Sequence, residues 1–207
     1  MPEFPLNNPR IVAAFDFDHT MIDRDSLLPF LFFTTGYAWS LYRLVKLLPQ
    51  LLRFSVKDLS RQGVKEKILT EFFAGQSLAD LQKKGQLYAA KQLDDYIKPQ
   101  ALRRLHWHQH QGHECMLVSA SIDLYLTPWA LRHGIKRVIS SRLEVTPEGI
   151  ITGQLQGLNC WGEEKRRRFL EELGPKDHYQ LYVYGDSRGD LELLDLADFP
   201  FYRRFAS

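Results

Sequence analysis

A short apolar run that ends abruptly in acids constrains this chain more than any other stretch. Ile11-Val12-Ala13-Ala14-Phe15 reads as a strand buried on both faces, as in a parallel sheet. Asp16 and Asp18 follow at once, with Thr20 two positions further on. In extended chain, residues i and i+2 project to the same side, so the spacing predicts that both acids face one point. That point lies beyond the carboxyl end of a sheet strand, where open α/β sheets hold ligands. Two carboxylates 4 Å apart repel by ~4 kcal/mol at an effective dielectric of about 20. A divalent cation, a shared proton or a cationic side chain would offset that cost. An Asp-rich turn capping the next helix is the competing reading of this stretch alone.

Downstream the pattern changes twice. Asp25-Ser26 is a plausible helix cap, and the apolar stretch Leu27 to Phe54 reads as two short packed helices broken by Pro29 and Pro49. Helical spacing continues over Val56–Phe73 and Ser77–Ile97, separated by Gly75 and ended at Lys98-Pro99. From Pro99, helices alternate with strands. Helices are expected over Pro99–Gln111, Ile122–Arg132, Glu163–Leu173 and Asp190–Leu196. Strands are expected over Glu114–Val118, Arg137–Ser141, Leu181–Tyr184 and Pro200–Phe205, with a hairpin at Leu143–Leu155. The fold class is therefore α/β: a Rossmann-like parallel sheet core with an all-helical cap inserted after the first strand. The expected division is 1–23 and 99–207 for the core, 24–98 for the cap.

The 207 residues, 44% apolar and 25% charged, suffice for one domain with a sizeable insertion and a real core. A formal charge of +2 is too small to imply a nucleic-acid partner. The basic run Lys165-Arg166-Arg167-Arg168 has no aromatic platform beside it, and its three arginines read as a solvated face. No transmembrane segment is expected, because the uncharged stretch Ser26–Tyr42 falls short of the ~20 apolar residues a spanning helix needs, while peripheral contact of the cap with a lipid surface stays open. The start of the chain lacks the pattern of a signal peptide, so cytoplasmic location is the default. Cys115 and Cys160 form no metal-ligand spacing, and Cys115 reads as buried packing. His106, His110 and His113 share a helix face with His108 nearby, and an exposed polar face explains them better than a second metal. Oligomeric state is not readable.

Each core strand ends in polar residues, and parallel strands put those ends on one edge. Acids from two strands can hold Mg²⁺, which prefers oxygen ligands. A hydroxyl, a lysine and helix-start N–H groups can hold phosphate oxygens, and a carboxylate set against phosphorus is a nucleophile. Asp16-Phe17-Asp18-His19-Thr20, Leu117-Val118-Ser119, Lys165 and Gly185-Asp186-Ser187-Arg188-Gly189-Asp190 resemble, in order, the four motifs of the haloacid dehalogenase-like phosphatases. The helical insertion and Gly162-Glu163-Glu164-Lys165 resemble the subfamily IB that includes phosphoserine phosphatase. Any single motif is weak; four in order are specific, and the resemblance spans about Ile11 to Phe205.

That resemblance implies a Mg²⁺-dependent phosphatase acting through an aspartyl-phosphate. Asp16 would be the nucleophile and Asp18 the acid–base. Mg²⁺ would be held by Asp16, the Asp18 backbone carbonyl and Asp186, with Asp190 supporting from behind. Ser119 and Lys165 would bind the phosphoryl group, with Thr20 supporting the loop. Ser121 in place of Ser119 stays open. Asp25 stands where phosphoserine phosphatases use a Glu toward the substrate's amino group, and it would bind substrate or merely cap a helix. His19 replaces a more usual Gly or Ser, and Gly189 replaces an Asn. The expected partner is a small phosphomonoester. A lipid phosphate is the rival, suggested by Phe30, Phe32, Phe33, Tyr37, Trp39 and Tyr42 near Arg43, Lys46 and Arg53, although a packed cap core accounts for that segment more simply. A non-catalytic phosphate-binding protein is the remaining alternative.

Overall fold

The computed structural model describes residues 10–53 and 60–205. The start of the chain, with the signal-peptide reading, lies outside them, as does the first part of the Val56 helix. Strand β1 (Ile11–Phe15) is the centre of a five-stranded sheet with β2 (Glu114–Ile122), β3 (Arg137–Ser141), β6 (Gln180–Gly185) and β7 (Phe199–Tyr202). The order is β3-β2-β1-β6-β7 and every pairing is parallel. Phe15 pairs with Leu117 on one side and Tyr184 on the other, so Asp16 leaves the sheet beside Gly185 and just short of Ser119.

Alternate residues of the strands feed two cores. Val12, Ala14, Val118 and Val183 pack with Phe169 and Leu173 of α7 (Glu163–Leu173) and Leu193 and Leu194 of α8 (Leu191–Leu194). Ala13, Phe15 and Leu117 face α5 (Pro99–His110) and α6 (Asp123–Arg132). The small hairpin of β4 (Leu143–Val145) and β5 (Ile151–Leu155) is antiparallel, as expected.

The inserted helices are α1 (Leu27–Thr35), α2 (Tyr37–Arg53), α3 (Arg61–Phe73) and α4 (Leu78–Lys91). The prolines do not make the break. Pro29 sits in the first turn of α1, where its missing N–H costs nothing, and Pro49 lies inside α2. Gly36, at φ +80°, makes the turn instead. The chain leaves the sheet and returns through two short segments that pair antiparallel: Asp23 N–H donates to Tyr96 and Lys98 N–H to Met21. Phe30, Leu69, Phe72, Phe73 and Tyr88 share one continuous buried core with Phe15, Tyr125 and Trp129, and α3 packs on β5 and α4 on α6. Burial on this scale contributes roughly 1.5–3 kcal/mol for each large side chain.

Two surface expectations need correction. The histidines do not form one polar face. His108 is buried; its Nδ1 lies 2.7 Å from His113 Nδ1 and its Nε2 2.9 Å from the Tyr184 hydroxyl. Desolvation holds His108 down to about 3, so it stays neutral. Nor is Arg168 solvated: it donates to Glu164 and to the backbone of Ser140 and Leu158, tying α7 to β3. Arg166 and Arg167 are exposed as expected.

Candidate active site

The polar residues at the strand ends converge as parallel pairing requires. Asp16 is still extended, at φ −70° and ψ 163°, and its N–H donates to Tyr184, which locks its backbone to β6. Lys165, in the first turn of α7, is buried with its Nζ 2.6 Å from Asp16 Oδ1 and 2.5 Å from Asp190 Oδ1. Of the offsets for carboxylate repulsion, the chain itself supplies the cationic side chain. The other Asp190 oxygen accepts from Ser187 Oγ and from the N–H groups of Ser187 and Asp186. Asp190 is thus fully engaged in holding Lys165 and the 185–190 loop.

Asp16 Oδ2 and Asp186 Oδ1 remain, both near the Thr20 hydroxyl at 3.4 and 3.3 Å. Carboxylate oxygens of Asp16, Asp186 and Asp190 lie within 4.8 Å of one another. An all-oxygen set with oxygens not committed to other charges suits a hard cation such as Mg²⁺. Burial pushes Asp16 up to about 6 against the pull of Lys165, and burial with the Asp190 charge also raises Asp186. A cation at these oxygens would reverse both shifts. Burial opposes the Lys165 charge, but Asp16 and Asp190 outweigh it, so Lys165 stays protonated.

Asp18 turns elsewhere. The chain leaves extended geometry after Phe17, and His19 adopts a left-handed φ of +56°. The Asp18 carboxylate accepts from Ser26 N–H at 3.0 Å and Ser121 Oγ at 2.8 Å, outside the three-acid cluster. The i, i+2 spacing therefore does not turn both carboxylates to one point. Burial, with the Asp25 charge adding, pushes Asp18 up to about 7 against those two hydrogen bonds. An acid poised there can both give and take a proton near neutrality.

Ser119 and Ser121 divide their work. Ser119 Oγ accepts from Ser121 N–H, which leaves its own proton to donate, whereas the Ser121 proton is spent on Asp18. Strand β2 runs on to Ile122 rather than stopping at Val118, and its register on β3 shifts between Val118 and Ile122, the stretch that carries both serines. Asp25 caps α1, its Oδ1 accepting from Leu27 and Leu28 N–H, while the residue also lines a cavity.

That cavity, about 400 Å³, lies between the inserted helices and the sheet and includes Asp18, Asp25, Arg61, Lys65, Ser121 and Trp161. A larger cleft of about 610 Å³, along α7 and β3, contains none of the expected site residues. Several participants were not expected from the sequence. Ser26 holds Asp18 and packs its hydroxyl on Tyr125 and Ser121; Tyr88 donates to its carbonyl. Lys65 crosses from α3 to the Ala120 carbonyl and to Asn159 Oδ1, and burial brings it down to about 8. Arg203 braces the far side, donating to the Asp186 carbonyl at 2.8 Å. These residues come from helices and loops remote in sequence, and no spacing rule would have joined them.

Residues 13–195 match the haloacid dehalogenase-like hydrolases. The chain belongs to that family. Protein CicA of Caulobacter vibrioides is 33% identical over 195 residues, which cover 94% of this chain and 86% of that one. A histidinol-phosphatase of Neisseria meningitidis is 26% identical, over 91% of this chain and 88% of its own. Among solved structures, a Bordetella pertussis protein of unknown function aligns with a TM-score of 0.74 at 25% identity, covering 91% and 87% of the two chains. A phosphoserine phosphatase trapped as a phospho-aspartyl analogue shares the fold, with a TM-score of 0.57 at 16% identity over 92% of this chain and 84% of that one. This haloacid dehalogenase-like hydrolase has the parallel core expected, and it shares its fold with that phosphoserine phosphatase.

Proposed function

We propose that this hydrolase is a Mg²⁺-dependent phosphatase that cleaves a small phosphomonoester through an aspartyl-phosphate on Asp16. The observation that carries the reading is the pairing of Lys165 with Asp16 at 2.6 Å, beside oxygens of Asp16 and Asp186 that share the Thr20 hydroxyl. Residues 24–98 act as the cap, entered and left through the paired segments at 21–23 and 96–98. When bound by Asp16, Asp186 and the Asp18 carbonyl, Mg²⁺ would supply charge neutralisation for the phosphoryl oxygens.

Lys165 has three N–H donors, two of them on carboxylates, so the third serves a phosphoryl oxygen. The Ser119 hydroxyl serves another. Asp16 attacks phosphorus and the ester P–O bond breaks, while Asp18 gives its proton to the departing oxygen. Asp18 then takes a proton from water, which attacks phosphorus and releases phosphate from Asp16. Positioning and charge neutralisation do most of such catalysis. Thr20 steadies the two acids it touches, and Asp190 holds Lys165. Asp25, with one oxygen left over from capping, faces the leaving group. Free, buried Cys115 and Cys160 support a reducing, cytoplasmic setting.

A panel of phosphomonoesters, phosphoserine and histidinol phosphate among them, assayed with Mg²⁺ and with chelator, tests the reading. Metal-dependent release of phosphate from at least one is expected. Failure on the whole panel by folded, Mg²⁺-loaded protein would leave the non-catalytic phosphate-binding alternative. A lipid phosphate is the second reading, favoured by one observation: Tyr37, Trp39 and Tyr42 are exposed rather than packed in a cap core.

A further inference from the structure

Helix α2 turns most of its apolar side chains away from the protein. Inward it places Ser40, Leu44, Leu47 and Arg43, which donates to the Glu71 and Phe72 carbonyls, while the exposed Lys46 reaches Glu71. Outward, Tyr37 is 80% exposed, Trp39 64%, and Leu41, Tyr42, Val45 and Leu48 between 51% and 60%. At 100° per residue, these six with Ala38 and Pro49 occupy an unbroken arc, interrupted only near its edge by Lys46. A surface helix of a globular protein shows the reverse arrangement.

The apolar surface continues onto α1. The Phe32 and Tyr37 rings stack at 5.1 Å, and beside them lies a groove of about 230 Å³ lined by Leu28, Pro29, Phe32, Phe33 and Tyr37. Arg24 also lines it, half exposed, paired with Asp23 and stacked on Tyr96 at 4.1 Å.

We propose that this α1–α2 face docks on an anionic phospholipid bilayer. Charge is the first argument. Between Arg24 and Lys98 there are twelve Lys and Arg against seven Asp and Glu, a net +5, whereas the rest of the chain has fifteen against eighteen, a net −3. The apolar face is thus carried by the positive part of a nearly neutral protein, which suits an anionic surface. Composition is the second. Trp and Tyr beside Leu and Val are the side chains that settle at the headgroup–acyl boundary. No helix among the described residues is long and apolar enough to cross a membrane, so contact here is from the surface. The proposal is independent of the reaction assigned to Asp16.

Sedimentation with sucrose-loaded vesicles tests it, using neutral phosphatidylcholine and the same lipid mixed with phosphatidylglycerol. Wild type should bind the anionic vesicles about tenfold better than the neutral ones. The triple variant Trp39→Ser/Leu41→Ser/Val45→Ser should lose binding roughly tenfold or more. Because all three residues are exposed, its melting temperature and its turnover of a soluble phosphoester should not change. Asp16→Asn should bind vesicles like wild type, which separates this result from any failure of the catalytic reading. No binding by wild type, or equal binding by the triple variant, would overturn the proposal. So would a wild-type dimer in velocity sedimentation that the triple variant turns into a monomer, since that assigns the face to a second copy.

Discussion

The Trp161 indole fills the space in which a side chain on residue 189 would stand. A Cβ built on Gly189 would overlap Nε1 and Cδ1 of the indole, closer than real contacts allow. Phosphoserine phosphatases carry Asn at this place before the second acid. Here the loop holding Asp186 and Asp190 is steadied by Trp161, which in turn packs under the Arg61 guanidinium at 5.0 Å.

Gly189→Ala should therefore destabilise the protein by about 1–3 kcal/mol, the usual cost of overpacking. Trp161→Ala would open the space, so the double variant should recover part of the loss. Denaturant melts of the four proteins form the cycle, and an additive result would mean the two residues do not compete for one space.

Much of this arrangement was legible beforehand and some was not. The alternation of strands and helices from Pro99 onward, with helix α7 at Glu163–Leu173, is a periodicity signal that the core had no reason to override. The ends of parallel strands must share an edge, so Asp16, Ser119 and Asp186 could be grouped without a structure. The direction of Asp18 could not, because it depends on Ser26 and Ser121, brought in by α1 and β2. Gly36 turned the chain where Pro29 and Pro49 were expected to, since proline is harmless in a first helical turn, and α2 continues through Pro49 with one backbone donor missing. The outward aromatic face of α2 matches the lipid-facing alternative for this segment and not the packed cap core that was the simpler expectation. Apolar sequence alone carries no sign of whether it meets protein or solvent.

The raised acids make a prediction about stability and pH. A carboxyl whose folded pKa is above its unfolded value stabilises the fold at low pH, and that contribution is lost as pH rises. For Asp18 the window runs from about 3.8 to about 7. Asp18→Asn should therefore match wild type near pH 4 and be more stable near pH 8, by roughly 1–3 kcal/mol. Denaturant melts in chelator would check it. Equal stability across the range would mean the ionised Asp18 carries no burial cost.

Lys165 predicts the opposite. Lys165→Met leaves Asp16 and Asp190 facing each other without a cation, and breaking a buried pair costs about 3–5 kcal/mol. Asp190 is depressed because the Lys165 charge outweighs its burial, so in wild type it contributes stability above about pH 3.8 that is lost as pH falls through its lowered value. In the variant the Lys165 charge no longer offsets the burial and mutual repulsion that raise Asp16 and Asp190, so it loses stability as pH rises above about 3.8. Its deficit should widen from pH 4 to pH 7 and turnover should fall by at least ~100-fold. A pH-independent deficit in the melts would show that packing, not charge, is what Lys165 provides.

The most direct test of the central claim is the turnover of Asp16→Asn against wild type, on a phosphomonoester that wild type hydrolyses, with saturating Mg²⁺ and matched melting curves. A loss of at least ~1,000-fold with the fold retained is expected, because the variant has no carboxylate oxygen to receive the phosphoryl group. Turnover within tenfold of wild type would contradict it, and would move the nucleophile away from Asp16.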